Sequence, residues 1–336
     1  MKAAQYFSTE NIKISDVQKP DIVEGEALIK VSYTGVCGTD MMIYSGKHPR
    51  AVSPLIMGHE FSGVIENIKG NSNFKKGDCV TVEPTISCGQ CKACLSGSYH
   101  VCENLKLIGI DMDGGFAEYV RVPIHRLHIV PDNLSMELAA LAEPLAVAVH
   151  TVRRSTLKVG QDVVILGAGP IGLLIGIVAR MNGANNIFIS DISEFRLNKA
   201  KKLGFHAIND KKMDSVNEIM KKTNGRLIDV VFETAGIQKT VDQAVNIIKT
   251  QGKIVIVSVF KTNPKISLAD MHFREISLTT TRCYSSDDFK TAIDIMSSEK
   301  IDFSIVISHE LPINQVGKAF SLMKNTEDSL KVLVKQ

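Results

Sequence analysis

Apolar and polar positions along the 336-residue chain fall into two textures. Up to about Pro144 the apolar runs are short, rich in β-branched and aromatic residues, and bounded by Gly, Pro, Asn and Asp, as in EALIKVSYTGVCG, GHEFSGVIENI, GDCVTVEP and GGFAEYVRVP. That pattern predicts strands joined by turns, and so a β-rich first domain over residues 1–144. From Val159 fully apolar runs alternate with longer amphipathic segments, which predicts parallel strands linked by crossover helices. DVVIL, NIFIS, DVVFET, KIVIVSV and ISLTTT are the predicted strands, and IGLLIGIVARMNG, SEFRLNKAKKLG, SVNEIMKKTNG and TVDQAVNIIKTQG the helices. Together they predict an α/β domain with a doubly wound parallel sheet over residues 145–284. SSDDFKTAIDIMSSEK then reads as a helix with Ser and Asp at its cap. The mixed tail beyond it is able to return to the first domain, giving a closing segment over residues 285–336.

Composition narrows the function. With 44% apolar and 22% charged residues the chain can bury a sizeable core, and its length suits two domains. A net charge of +3, with Lys and Arg mixed among Asp and Glu, builds no basic face for nucleic acid or an anionic membrane, so neither partner is expected. The start MKAAQYFSTENIKI has no uninterrupted apolar core, and longer apolar runs are broken by Gly or charge, which makes the cytoplasm the expected location. Thiols stay reduced there, so a disulfide framework is not expected.

DVVILGAGPIGLLIGIVAR sets Gly167, Gly169 and Gly172 as G-x-G-x-x-G, with Pro170 and Ile171 between, from an apolar strand into an apolar helix. In that context the motif predicts a dinucleotide site. Gly167 permits the tight turn, Gly169 lets backbone approach a pyrophosphate, Gly172 allows helix to pack on strand, and the helix amino terminus faces the phosphates. NIFIS leads into Asp191, about twenty residues past the glycines, where a carboxylate accepts from ribose hydroxyls and repels the extra phosphate of NADP. NAD is the expected cofactor. Arg196 is close enough to be a further cofactor-side candidate, although FRLNKAKKLG would ordinarily place it on a solvated helix face.

Cys88, Cys91, Cys94 and Cys102 are spaced C-x2-C-x2-C-x7-C within a lobe over residues 86–104. Four thiolates can close a tetrahedral shell around one structural zinc, leaving no position for substrate. An iron–sulfur cluster or a redox-active C-x-x-C pair uses the same residue types. The absence of a surrounding thioredoxin-like βαβ unit favours zinc. Cys79 and Cys283 have no partner at metal spacing and are expected as small core residues.

Chemistry needs other residues, and the candidates are Cys37 in GVCGTD, His59 and Glu60 in MGHEFSG, and Glu143 in LAEPLAVAVH. They lie far apart, and spacing alone does not join them. Taken with the four-cysteine lobe and the glycine motif, however, these segments resemble the zinc-dependent medium-chain dehydrogenases and reductases over essentially the full length. The branch they resemble holds sorbitol, galactitol-phosphate, butanediol and threonine dehydrogenases. The resemblance implies a GroES-like catalytic domain, an inserted Rossmann domain, two zinc ions per chain, NAD, a small alcohol as substrate, and a homodimer or homotetramer. It also implies that Cys37 and His59 bind a catalytic zinc, that Glu60 is a direct or exchangeable ligand, and that Glu143 binds directly or through water.

The same resemblance implies the reaction: reversible oxidation of a secondary hydroxyl of a polyol, a sugar alcohol with or without a phosphate, or a sugar acid to the ketone. Butanediol-type and threonine-type activities are alternatives within the family, and a non-catalytic zinc and nucleotide-binding protein is one outside it. Thr39 matches the hydroxyl that contacts the reacting oxygen and starts a proton relay. Relatives often carry a histidine three residues later, but here Met42 stands in that place and cannot carry a proton, so the exit passes through water, a ribose hydroxyl or a group such as His48. This argues against threonine as substrate. Lys331 in DSLKVLV matches a basic residue at the cofactor pyrophosphate, and Arg282 and the KHPR run from Lys47 to Arg50 are weaker candidates for an anionic substrate group.

Overall fold

The computed structural model describes residues 1–336, which divide into two compact units: 1–146 with 285–325 and 329–336, and 147–284 with 326–328. The first unit begins with β1 (Lys2–Ser8), β2 (Asn11–Asp16), β3 (Glu26–Gly35), α1 (Gly38–Tyr44), β4 (Leu55–Ile56), β5 (Glu60–Lys69) and β6 (Cys79–Val82). β7 (Thr85–Ile86), α2 (Lys92–Leu95) and β8 (Lys106–Leu107) frame the cysteine lobe, and β9 (Tyr119–Pro123), β10 (Leu127–Ile129), α3 (Met136–Ala139) and α4 (Ala142–Ser155) come next. The second unit carries β11 (Val163–Leu166), α5 (Pro170–Met181), β12 (Ile187–Asp191), α6 (Glu194–Lys202), β13 (His206–Asn209), α7 (Ser215–Lys222) and β14 (Ile228–Glu233). It continues with α8 (Gln238–Ile247), β15 (Ile248–Ile256), α9 (Leu268–Phe273) and β16 (Ser277–Thr280). The chain then returns to the first unit as α10 (Ser286–Ser297), β17 (Ile307–Pro312), α11 (Val316–Lys324) and β18 (Lys331–Lys335).

The first unit is built on a sheet in the order β10-β6-β5-β3-β18-β17, with β9 also pairing β3. Inward-facing Ile29, Val31, Phe61, Ile65, Val80, Val82, Val120 and Val122 form its core, as alternation of apolar and polar residues along antiparallel strands requires. Strand register gathers distant residues at one end of this sheet. Gly35 lies opposite Glu60 across β3 and β5, and Leu333 opposite Gly35 across β18 and β3. The ends of three neighbouring strands therefore bring residues from the start, middle and end of the chain to one place.

The second unit is a parallel sheet in the order β13-β12-β11-β14-β15-β16. β11 is buried along its whole length, as expected for a strand covered on both faces. Because β12 and β13 lie on one side of β11 and β14 to β16 on the other, the strand order reverses at β11 and β14. The carboxyl ends there form a crevice suited to a ligand.

Four expectations are corrected. β13 is an additional strand: its short, half-polar sequence HAIN covers the sheet edge and carries no apolar run. The strand-like texture up to Pro144 ends earlier, because α4 starts at Ala142 and runs through the proline, which is tolerated in a first helical turn. The predicted helix over TVDQAVNIIKTQG stops at Ile247, and Ile248 already begins β15 through a bulge in which Gln251 takes a φ of 58°. Cys79 is exposed rather than core, since it opens β6 beyond the covered part of the sheet.

Candidate active site and metal centres

The cysteine lobe closes on itself. Cys91 Sγ lies 3.5 Å from Cys94 Sγ and 3.9 Å from Cys102 Sγ, and Cys88 Sγ lies 4.0 Å from Cys94 Sγ. A tetrahedron of sulfurs with bonds of about 2.3 Å places them about 3.8 Å apart, so the four fit zinc. The N–H groups of Cys88 and Asn104, each 3.3 Å from Cys102 Sγ, donate to it. Backbone N–H groups at Gln90 and Cys91 pull the Cys88 thiol down to about 6, while burial and the neighbouring thiols push Cys94 up to about 11. Cys102→Ser is expected to lower bound zinc by one ion per chain and the melting temperature by about 10 °C, read by metal analysis and calorimetry.

The second group forms where β3 ends and β5 begins. Cys37 precedes α1, and one ligand atom each from Cys37, His59 and Glu60 lie within 4.8 Å of one another. His59 and Glu60 are buried and Cys37 half-buried. Sequence reasoning missed Asp40, fully buried in the first turn of α1. Its Oδ2 accepts from the Cys37 N–H at 2.8 Å, and its Oδ1 faces His59 Nδ1 at 3.5 Å. An acid three residues after Cys37 in CGTD was the available signal. Burial works against a charged His59, but Asp40 and Cys37 outweigh it and hold the imidazole well above its usual range. With Nδ1 turned to Asp40, Nε2 is the nitrogen left to act as a ligand. A thiol, an imidazole oriented by a carboxylate, and a second carboxylate fit a zinc with an open position.

Glu143, in the first turn of α4, is not part of this close group, though its charge acts on Lys331. Thr39 lies half-buried in the first turn of α1, and Met42 is on the same helix. Arg50, though exposed, donates to the Leu105 carbonyl at 2.7 Å and pairs with Asp111 at 3.3 Å, which leaves Lys47 as the cation of the KHPR run without such a tie. Lys331 does not reach outward to a pyrophosphate. It is 3% exposed, with Nζ 2.6 and 2.8 Å from the two Glu60 oxygens and 3.2 Å from the Val36 carbonyl. Burial works against its charge, but Glu60, Cys37 and Glu143 more than offset this and raise its pKa.

In the second unit the glycine turn has the form its sequence implies. Gly167 takes a φ of 115°, and a Cβ on Gly172 would stand 2.0 Å from the Gly167 carbonyl oxygen, so neither position accepts a side chain. Gly169 caps α5 with Pro170 in its first turn, and Ile171 comes next. A Cβ on Gly169 would meet only Arg196 Nη1, at 3.9 Å; the space above it is open. Asp191 ends β12, its Oδ2 accepting from Ala168 N–H at 2.7 Å and its Oδ1 from Ser193 N–H at 2.9 Å. Arg196 is half-buried rather than solvated, its pKa lowered by burial against the opposing pull of Asp191. Glu233, fully buried, accepts from the Ala235 and Gly236 N–H groups at 2.9 and 2.7 Å and from the Thr240 and Ser258 hydroxyls, which ties the turn after β14 to the turn after β15. Arg282 is exposed just beyond β16. No helix in the chain is long and apolar enough to cross a membrane.

Comparison with known proteins agrees with this geometry. The alcohol dehydrogenase GroES-like domain matches residues 23–132, and the zinc-binding dehydrogenase family matches residues 170–298. The chain is 37% identical to 2-dehydro-3-deoxy-L-galactonate 5-dehydrogenase of Pseudoalteromonas atlantica, over 99% of this chain and 98% of that protein. It is 37% identical to L-threonine 3-dehydrogenase of Pyrococcus furiosus, over 96% and 94%. Its fold superposes on 2R,3R-butanediol dehydrogenase of Bacillus subtilis with a TM-score of 0.93 at 31% identity, over 100% and 99%. The chain therefore belongs to the zinc-binding alcohol dehydrogenases, oxidoreductases that join a GroES-like unit to a Rossmann unit and work with zinc and a nicotinamide dinucleotide.

Proposed function

We propose that the chain oxidises a secondary hydroxyl of a sugar alcohol or sugar acid to the ketone, reversibly, with NAD as hydride acceptor. The observation that carries this reading is the Cys37, His59 and Glu60 group, whose thiol, imidazole and carboxylate suit a polyhydroxy ligand. When bound there, zinc acts as a Lewis acid that makes the substrate hydroxyl easier to deprotonate. Asp40 orients His59, and Thr39 holds the hydroxyl and hands on its proton. Met42 cannot receive it. His48 Nδ1 already accepts the N–H groups of Arg50 and Ala51 at 3.3 and 3.2 Å, so its lone pair is spent and it makes a poor exit. Water or a cofactor ribose hydroxyl serves instead.

The sugar-acid activity named for the Pseudoalteromonas relative supports the substrate class. Met42, where the resemblance calls for a relay histidine, weighs against threonine despite the Pyrococcus relative. Because Arg50 is committed within the fold, a phosphorylated substrate is less favoured than an unphosphorylated one. The likeness to butanediol dehydrogenase keeps a vicinal diol as the second reading. A panel of sugar alcohols, sugar acids, their phosphates, 2,3-butanediol and threonine, followed by NADH absorbance, decides. A polyol or sugar acid should give the highest kcat/KM; threonine in first place would sink the reading.

Asp191 carries the preference for NAD. Removing a charge that hydrogen-bonds hydroxyls costs about 1.5–3 kcal/mol, so Asp191→Asn should lower kcat/KM for NAD roughly tenfold to a hundredfold and narrow its lead over NADP. Parallel kinetics with both cofactors measure it. A homodimer is also proposed: β16 ends its sheet with an unpaired edge, and Leu278 on it is 44% exposed. Light scattering would read the mass, and a monomer at all concentrations would rule this out.

A further inference from the structure

In a doubly wound sheet the two halves of a dinucleotide lie on either side of the reversal in strand order. With Asp191 on the adenosine side at β12 and the glycine turn after β11, the nicotinamide half falls over the carboxyl ends of β14 and β15. Glu233 and Thr234 are consecutive residues at the end of β14, and they reach to opposite neighbours. The Thr234 hydroxyl donates toward β11, to the carbonyls of Leu166 and Gly167, 2.9 and 3.1 Å away. Glu233 reaches the other way. A buried carboxylate must take its hydrogen bonds from the protein. Its Oε1 accepts from the Ala235 and Gly236 N–H groups and the Thr240 hydroxyl, and its Oε2 from the Ser258 hydroxyl in the turn after β15. The Glu233 backbone carbonyl also accepts from the N–H groups of Val257 and Ser258, at 2.9 and 3.3 Å. These two turns lie in contact: a Cβ on Gly236 would stand 3.3 Å from both Ser258 Cβ and the Val259 carbonyl oxygen.

We propose that Glu233 and Thr234 are positioning residues that set the two parts of the cofactor crevice separately. Thr234 fixes the glycine turn that faces the pyrophosphate. Glu233, through Ser258, fixes the turn after β15 as the wall of the nicotinamide half. Only the Ser258 hydroxyl joins the Glu233 side chain to that turn, while its other oxygen is spent within its own turn and on α8. The proposal rests on the nicotinamide dinucleotide as cofactor and is independent of which alcohol is oxidised.

Binding without alcohol tests it, using NADH and ADP-ribose, the same dinucleotide lacking the nicotinamide ring. Both are titrated by calorimetry, and melting temperatures without ligand establish that each variant is folded. Ser258→Ala removes one hydroxyl and frees the turn after β15. Its Kd for NADH should rise about tenfold, the worth of one hydrogen bond to a charged group, while Kd for ADP-ribose stays within about twofold of native. Thr234→Val keeps the side-chain shape but takes the donor from the Gly167 carbonyl. Because the glycine turn serves both ligands, both Kd values should rise together, by about fivefold. Glu233→Ala would strand three donors at once and is expected to unfold the turn. Glu233→Gln instead keeps a carbonyl for those donors and turns an amide N–H toward Ser258 Oγ. Any loss it brings, about threefold or less, should fall on NADH alone.

Equal weakening of NADH and ADP-ribose in Ser258→Ala or in Glu233→Gln would reduce Glu233 to a residue that merely stabilises the fold, and overturns the proposal. Native affinity for both ligands in Ser258→Ala, or in Thr234→Val, overturns it as well. If the native chain binds neither ligand, the cofactor reading fails first and the proposal with it.

Discussion

Cys37→Ser is expected to cut alcohol-dependent NADH formation roughly a thousandfold, equal to about 4 kcal/mol of transition-state stabilisation, and to lower bound zinc from two ions per chain to one. Serine offers a hard, protonated oxygen where zinc prefers a thiolate, so the remaining imidazole and carboxylates hold the ion weakly. The fold should survive. This turn is ordered by a capping box in which the backbone N–H of residue 37 donates to Asp40 Oδ2 and the Asp40 N–H faces the residue-37 side chain, a place where a serine hydroxyl can also accept. Serine is also a favoured residue ahead of a helix. The four-cysteine lobe shares no residue with this group and should keep its own ion. Metal analysis beside initial rates reads both effects. Full activity and full zinc content in the variant would remove Cys37 from the chemistry.

Gly169→Ala should separate cofactor binding from folding. The added methyl meets only the end of Arg196, at 3.9 Å, and the backbone there, with a φ of −66°, suits alanine. Stability without cofactor should change by no more than about 1 kcal/mol. The methyl nevertheless occupies the open space where a pyrophosphate would approach the turn, and KM for NAD should rise on the order of a hundredfold. Gly172→Ala should behave differently. Its methyl would lie 2.0 Å from the Gly167 carbonyl oxygen, so strand and helix must part, with a loss of about 1–3 kcal/mol even in the absence of cofactor. Calorimetry without NAD, set beside cofactor titration, distinguishes the two. Equal melting temperatures for both variants would contradict the packing argument, and an unchanged KM in Gly169→Ala would contradict the placement of the pyrophosphate.

The effect of a residue in this chain depends on how local its partners are. The dinucleotide turn and the lobe are compact in sequence: Gly167 to Asp191 and Cys88 to Cys102 each hold their chemistry within one short run. Their spacing could be read directly because short segments have few ways to arrange themselves. Asp40 was overlooked although it is close to Cys37, since an acid near a helix start is usually a solvated cap and only burial reveals its hold on His59. Arg50 looked like a substrate cation until its guanidinium proved to be spent on Leu105 and Asp111.

By itself, the order of residues determined the alternation of strands and helices in the second unit, the glycine turn with its acid, and a lobe able to close four sulfurs around one ion. These arise from local periodicity and from spacings too short to be undone by the rest of the chain. Tertiary structure alone decided that Cys37, His59 and Glu60 meet, and that Lys331 turns inward to Glu60 rather than outward. Both depend on β5, β3 and β18 lying side by side in one register. That register is set by the packing of whole sheet faces, in which a slip of one residue would turn every side chain to the opposite side.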